Sequence, residues 1–491
     1  MGGWVRTMGA RGASTRGPGP GSGRKRNLEL VLILFAIAIP AFGDADAVLA
    51  LTGKMPSGFA LQVGGLTVLA LVTHLIVRRW AAYADPLILP ITVLLTGLGL
   101  MMVHRLDLSH EKVSSDYQKY PLIQGQIEWL VIGVVIFAAI VIVLKHHRML
   151  QAYTYVLMAG SLVMLLAPAF FPAQNGAKRW IYIGSQTIEP DEFTKISLVI
   201  FFASYLMANR DALALVGRKV WGISFPRGRN LGPIIAIWVV SLLVLIFEVD
   251  LGTSLIVFGI FIIMLYLATE RTGWVVLGTL MAAAGAFVVG SLSSNVGGRV
   301  AAWLHPLAIY LPKAQRPPGV ASEQPAQALF ALAHGGFLGT GLGQGQPWLI
   351  GFADRSDWIL ASFGEELGTA GVMIIVMLYV LLAERSFRAS IRLTDPFGKL
   401  MAGGLAAALI LQVFVVVGGV IGLIPETGKA LPFLAQGGSS MVANWIMVAL
   451  MIKLSDAAGR TEMEPLPDPA ATLTISAEEI AQARAEMEQQ G

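Results

Sequence analysis

Twelve apolar runs, each about as long as a bilayer is thick, recur along the chain at 29–51, 58–78, 86–104, 126–144, 152–171, 192–209, 231–247, 251–268, 273–291, 357–383, 401–423 and 437–454. A helix needs about 20 apolar residues to cross the hydrocarbon core. Inside that core an open segment satisfies its backbone polar groups only as a helix. The sequence therefore reads as an all-α polytopic membrane protein with about 12 (10–12) transmembrane helices. Composition agrees, since 55% of residues are hydrophobic and 13% are charged, about half the charge of a soluble domain. A soluble enzyme and a disordered chain are excluded. The net charge of +4 does not imply a nucleic-acid partner, because Lys and Arg sit mainly in short segments between apolar runs. The absence of cysteine excludes disulfides, thiol catalysis and Cys-ligated metals.

Those basic segments orient the helices, because short cytoplasmic loops carry the excess of Lys and Arg. Arg78 and Arg79, Lys145 and Arg148, Arg218 to Arg229, Arg271, and Arg385 to Lys399 fall in alternate gaps. With a basic N-terminal tail at 1–28 on the same side, both termini are expected in the cytoplasm. The transmembrane domain spans 29–455, and an acidic, Pro-containing cytoplasmic tail covers 456–491. Three outward segments remain: Pro172–Asp191, a large extracytoplasmic loop between 293 and 356, and Ile424–Ser440. Loops of such length without structure of their own are usually functional.

Four constellations carry chemistry. The first joins Asn175, Lys178, Arg179 and Trp180 to Glu189, Asp191, Glu192 and Lys195. A Lys-Arg pair on the outer surface needs compensation, and either a phosphate or a nearby carboxylate supplies it. Glu192 and Lys195, three apart, share a helix face. The second is Glu248, Asp250, Gly252 and Thr253, where Asp250 either caps the following helix or holds a cation or basic partner. The third runs from Gln324 and Gln327 through His334 into five glycines within residues 335–343, a candidate cradle of exposed backbone N–H groups. It continues to Asp357, Glu365 and Glu366 at a membrane helix, where ionisable groups are functional candidates by default. The fourth, Pro425–Phe433 with Gly437–Ser440, reads as an irregular segment lining a cavity.

In this order the motifs resemble those of the SEDS family (shape, elongation, division and sporulation; FtsW, RodA and SpoVE). They are N-G-A-K-R-W at Asn175–Trp180, P-D-E-F-T-K at Pro190–Lys195, D-L-G-T at Asp250–Thr253 and Q-P-A-Q-A-L at Gln324–Leu329. D-W-I at Asp357–Ile359, E-E-L-G at Glu365–Gly368, and T-G-K-A-L-P-F with G-G-S-S within Thr427–Ser440 complete the set. The resemblance implies a glycosyltransferase that polymerises lipid II into peptidoglycan outside the bacterial cytoplasmic membrane, in division, elongation or sporulation. Its implied partners are a class B penicillin-binding protein and divisome or elongasome proteins. No cofactor is required, and a divalent cation is compatible. Lys178, Arg179, Trp180, Glu192, Lys195, Gln324, Gln327, Asp357 and Glu366 are the expected substrate-binding residues. The chain departs from the family where a loop aspartate is proposed to be catalytic: Ile309 stands there, Ser322-Glu323-Gln324 replaces G-Y-Q, and no Asp lies between Asp250 and Asp354. Glu323 is the expected substitute base. A non-catalytic relative that scaffolds the wall machinery and a lipid-precursor flippase are the alternative readings.

Overall fold

The computed structural model describes residues 20–55, 58–113, 122–172, 178–184, 186–214, 216–220, 223–226, 232–247, 250–292 and 294–461. Fourteen helices are described: α1 (Pro20–Thr52), α2 (Phe59–Trp80), α3 (Ile88–Val113), α4 (Leu122–Val143), α5 (Thr154–Leu166), α6 (Asp191–Ala214), α7 (Gly232–Phe247), α8 (Leu251–Thr269), α9 (Thr272–Leu292), α10 (Ser294–Leu304), α11 (Gln324–Gly335), α12 (Ile359–Arg392), α13 (Pro396–Val420) and α14 (Gly438–Thr461). Every predicted apolar run coincides with a helix. Among the described residues, ten helical segments are long and apolar enough to cross a membrane. The other two runs are α6, which opens on Asp191, Glu192 and Lys195, and α7, which has 16 residues. Two antiparallel hairpins are also described, β1 (Ile181–Ile183) with β2 (Gln186–Ile188) before α6 and β3 (Val216–Val220) with β4 (Ile223–Pro226) between α6 and α7.

The expected tail boundaries shift. α1 begins at Pro20, and Arg26, within the expected basic tail at 1–28, is buried with its guanidinium on Glu29 and on the Ala84 carbonyl. α14 carries the helix to Thr461. The remainder of both tails lies outside the described residues.

α3, α13 and α14 form the middle of the bundle, with 83%, 78% and 89% of their apolar windows buried, against 22% for α2 and for the α5 segment. α13 packs on α6, α8 and α12, and α14 on α4, α6 and α12. Small residues permit this, as they do generally where membrane helices pack closely. A Cβ on Gly404 of α13 would lie 2.7 Å from Met264 Sδ and 2.8 Å from Val199 Cγ1.

The loop between 293 and 356, expected without structure of its own, is folded. It contains α10, α11 and three short 3-10 turns at Pro306–Tyr310, Lys313–Gln315 and Pro347–Ile350. The glycines after α11 do not form an open N–H cradle. They let the chain lie against α12 where α12 bends at Gly368 (φ 70°, ψ −177°). Thr340 and Gly341 donate their N–H groups to the carbonyls of Glu365 and Glu366 at 2.9 and 3.0 Å, and Thr369 donates to Gly336 O at 2.9 Å. These bonds satisfy the backbone groups freed by the bend. A Cβ on Gly339 (φ +85°) would sit 2.1 Å from Glu366 O, whereas Gly336 (φ +54°) has open space. Gly339→Ala is therefore expected to destabilise the protein by about 1–3 kcal/mol or more through overpacking, and Gly336→Ala by less. Thermal unfolding of the purified variants measures the difference.

Candidate active site

The two ends of α12 differ in chemistry. At the Asp357 end a cavity of about 580 Å³ adjoins one of about 350 Å³, and Arg179, Phe352 and Asp357 border both. They form one groove. Its walls come from the chain before β1, from α10 and α11, from the start of α12, and from the Pro- and Gly-rich segment between α13 and α14.

Arg179 is the groove's central cation. It is 8% exposed, its guanidinium lies 4.8 Å from the Trp180 ring centroid, and Nη1 donates to the Gly428 carbonyl. Its buried Nε has no hydrogen-bond partner. Burial alone would lower its pKa, but Asp250, Glu189, Asp357 and Glu426 outweigh that and raise it. The side chain is a permanent cation with unused donor capacity. A second guanidinium, Arg299 of α10, lines the larger cavity and is held by the Thr427 carbonyl at 3.0 Å. Opposite them stand two carboxylates. Among the described residues no hydrogen bond or ion pair holds Asp357. Glu426 accepts from the Gly428 N–H. Burial, then the neighbouring Asp357, push Glu426 up to about 7 against the pull of Arg299 and Arg179.

Behind Arg179 lies a closed polar layer. Lys429 Nζ is 3.0 Å from Glu189 and 2.9 Å from Asp250, and also meets Asp191. Thr253 Oγ1 lies 2.8 Å from Asp191 and 2.9 Å from Asp250 and shares its one proton between them. Asp250 caps α8 through the Thr253 N–H at 3.0 Å and holds Lys429, so both of its expected roles are present. Burial would raise the Asp250 pKa, yet Lys429 and Arg179 hold it well below the usual carboxylate range. Burial pushes Glu189 up to about 7 despite Lys429. Glu189, Asp191 and Asp250 are close enough to share a metal ion, but the Lys429 ammonium already occupies their centre. Gly252 makes room for it, since a Cβ there would lie 2.4 Å from Lys429 Cγ.

The expected substrate-binding residues divide. Arg179, Trp180, Gln324 and Asp357 border the groove. Lys178 donates to the Ala169 carbonyl at 3.0 Å, and Gln327 to the Tyr310 hydroxyl at 2.9 Å. Lys195 turns away from the groove into the helix layer. It pairs with Glu192 and reaches Gln412 of α13 at 2.6 Å and Asn444 of α14 at 3.4 Å. Glu366 is fully buried against Arg105 of α3, whose Nε lies 2.6 Å away. The physical reason is the same for Glu192, Lys195 and Glu366: a charge at membrane depth is costly unless paired, and each has its partner inside the protein. Glu323 is exposed just before α11, with no side-chain cap bond, and is not among the groove-lining residues between Ser322 and Gln324. Ile309 is 5% exposed in an apolar cluster with Ala308, Val320 and Ala326, so an aspartate there would be a buried charge. Asn175 and Glu248 lie outside the described residues. Glu426 and Lys429 lie in the fourth constellation, which the sequence marks only as lining a cavity, and no motif marks Arg105 or Arg299 as site residues. The available signal was charge inside Pro- and Gly-rich or apolar segments.

Residues 86–459 match the FtsW/RodA/SpoVE cell cycle protein family. The chain belongs to that family. The peptidoglycan glycosyltransferase RodA of Mycobacterium tuberculosis is 44% identical over 391 residues, 79% of this chain and 81% of that protein. RodA of Mycobacterium leprae is 41% identical over 407 residues, covering 83% and 85%. A probable peptidoglycan glycosyltransferase FtsW of a Geobacter species is 30% identical over 382 residues, covering 77% and 98%. A chain from a solved peptidoglycan synthase complex, in which polymerisation and crosslinking are coordinated, superposes with a TM-score of 0.57 at 21% identity, covering 78% of this chain and 99% of that one. That likeness speaks for the fold. As in other FtsW/RodA/SpoVE proteins, the assignment is to a multi-pass membrane protein.

Proposed function

We propose that this chain is a peptidoglycan glycosyltransferase that polymerises lipid II at the outer face of the cytoplasmic membrane, working with a class B penicillin-binding protein. The observation that carries this reading is the groove, with two guanidinium groups facing two carboxylates at one end of the bundle. It is supported by the names of relatives at 41–44% identity. Arg179 and Arg299 bind the diphosphate, since Arg presents a donor fork to phosphate oxygens. As the acceptor hydroxyl attacks the anomeric carbon, its proton passes to the Asp357–Glu426 pair, the new glycosidic bond forms, and the bond to the diphosphate breaks. Undecaprenyl pyrophosphate departs against the two arginines. Glu426 suits the base because its proton is lost near neutral pH, where a general base is most effective. This reading places the base at Glu426 rather than at Glu323. The test is polymerisation of labelled lipid II by the purified protein with its partner; absence of any polymer would leave the scaffolding alternative.

Arg179→Ala removes a charge-assisted contact worth about 1.5–3 kcal/mol and is expected to weaken lipid II binding about tenfold or more. A titration with labelled lipid II reads this directly, and unchanged affinity would limit Arg179 to holding Gly428. The proposed orientation puts the groove outside and both termini inside. It rests on α12, which carries Asp357 before its start and Arg385, Arg388 and Arg392 near its other end, roughly 50 Å apart at 1.5 Å per residue. In this Cys-free chain, Lys178→Cys should react with a membrane-impermeant maleimide in intact cells, and Arg388→Cys only after permeabilisation. The reverse pattern would invert the topology.

A further inference from the structure

Three groups of the groove hang on one short run of backbone. Arg299 Nη1 donates to the Thr427 carbonyl at 3.0 Å, Arg179 Nη1 donates to the Gly428 carbonyl, and the Gly428 N–H donates to Glu426. The next residue, Lys429, fastens that run from behind. Its side chain is 1% exposed, and its ammonium meets Glu189 just before α6, Asp191 in the first turn of α6, and Asp250 at the cap of α8. Gln412 of α13 adds a second fastening through the Ala430 carbonyl at 3.0 Å.

Electrostatics give Lys429 a task beyond fastening. Three carboxylates gathered round one point repel one another, and a buried charge left without its partner is costly. Lys429 is in contact with all three. After it, the cation that acts on both Asp250 and Glu189 is Arg179, and those two carboxylates are the strongest charges acting on Arg179 in turn. Arg179 therefore stands between the carboxylates behind it and the groove in front. Among the described residues its guanidinium holds a neutral carbonyl, that of Gly428, and no carboxylate. A donor already aimed at an anionic substrate needs no reorganisation during the reaction.

We propose that Lys429 is a positioning residue: by neutralising the carboxylates behind the groove, it keeps the Arg179 guanidinium directed at the diphosphate. The inference rests on the reading of the groove as the lipid II site. The test compares Lys429→Met with Lys429→Met/Asp250→Asn in the full-length protein. Lys429→Met is expected to weaken affinity for labelled lipid II about tenfold, the worth of one charge-assisted contact, because Arg179 turns to Asp250 and Glu189. Adding Arg179→Ala should then change little, since the two substitutions remove the same contact. Lys429→Met/Asp250→Asn removes one positive and one negative charge together, and Asn caps a helix as Asp does, so most of the affinity should return. A residue that merely fastened the segment would be missing from both variants, so equal loss in both would overturn the proposal. Wild-type affinity in Lys429→Met would do the same. Lys429→Gln, which keeps a donor but not the charge, is read in the same way where the methionine variant fails to fold. Cryo-electron microscopy of Lys429→Met reads the capture without lipid II: Arg179 is expected on Asp250 or Glu189, and Arg179 still on Gly428 would overturn the proposal. Failure of the wild type to bind lipid II would sink the reading of the groove, and the variant's structure would still decide whether Lys429 holds Arg179 in place.

Discussion

Glu426→Gln is expected to lower the rate of lipid II polymerisation by about 10²–10⁴-fold, the usual worth of general-base help, with lipid II affinity little changed. The amide keeps the side chain's shape and its acceptor for the Gly428 N–H, but it cannot take the acceptor hydroxyl's proton. Asp357→Asn should also reduce the rate, since Asp357 is the like charge that helps keep the Glu426 proton poised. The pH dependence has a defined sign. The base works deprotonated and Glu426 is pushed up to about 7, so wild-type activity should fall as pH drops through about 7 and level off above it. Asp357→Asn should move that fall to lower pH, because removing a neighbouring negative charge eases ionisation of Glu426. Single-turnover assays with labelled lipid II across pH measure both effects. Full activity in Glu426→Gln together with loss in Glu323→Gln would return the base to the loop.

Arg105→Ala is expected to destabilise the protein by about 3–5 kcal/mol, the usual cost of removing one partner of a buried ion pair. Both side chains of the Arg105–Glu366 pair are fully buried. Arg105 also donates to Ser109 Oγ at 2.6 Å and to Gly345 O at 2.8 Å, so one substitution strands the Glu366 carboxylate and removes two further hydrogen bonds. The pair ties α3 to α12 just before the Gly368 bend, and its loss should also loosen the glycine turn packed there. Replacing both partners, as Arg105→Met with Glu366→Leu, should recover much of the stability because no charge is then left unpaired. Thermal unfolding of Arg105→Met, of Glu366→Leu and of the double variant completes the cycle. Equal stability of Arg105→Ala and wild type would show that the pair contributes nothing.

The helices were legible because a bilayer demands a fixed length of apolar chain whatever the neighbours are. Even α6 and α7, less apolar or shorter than the rest, were readable as runs. Chemical type was legible too: Arg179, Trp180, Gln324 and Asp357 were named as candidates, and the structure places them around one groove. Which charges face substrate and which face protein was not. Glu366 and Lys195 carry the same intramembrane signal as a binding residue, and only the packing of α3 on α12, and of α6 against α13 and α14, shows that Arg105, Gln412 and Asn444 satisfy them. Glu426 and Arg299 are 127 positions apart in sequence, so no local pattern joins them. The glycines at 335–343 have the composition of an anion cradle, and the bend at Gly368 decides that their amides go to Glu365 and Glu366. Hydrophobic length and charge bias act on each segment separately, and the sequence by itself determined them. Pairing of buried charges across helices, as between Arg105 and Glu366, depends on contacts between segments hundreds of residues apart, and only the tertiary structure decided it.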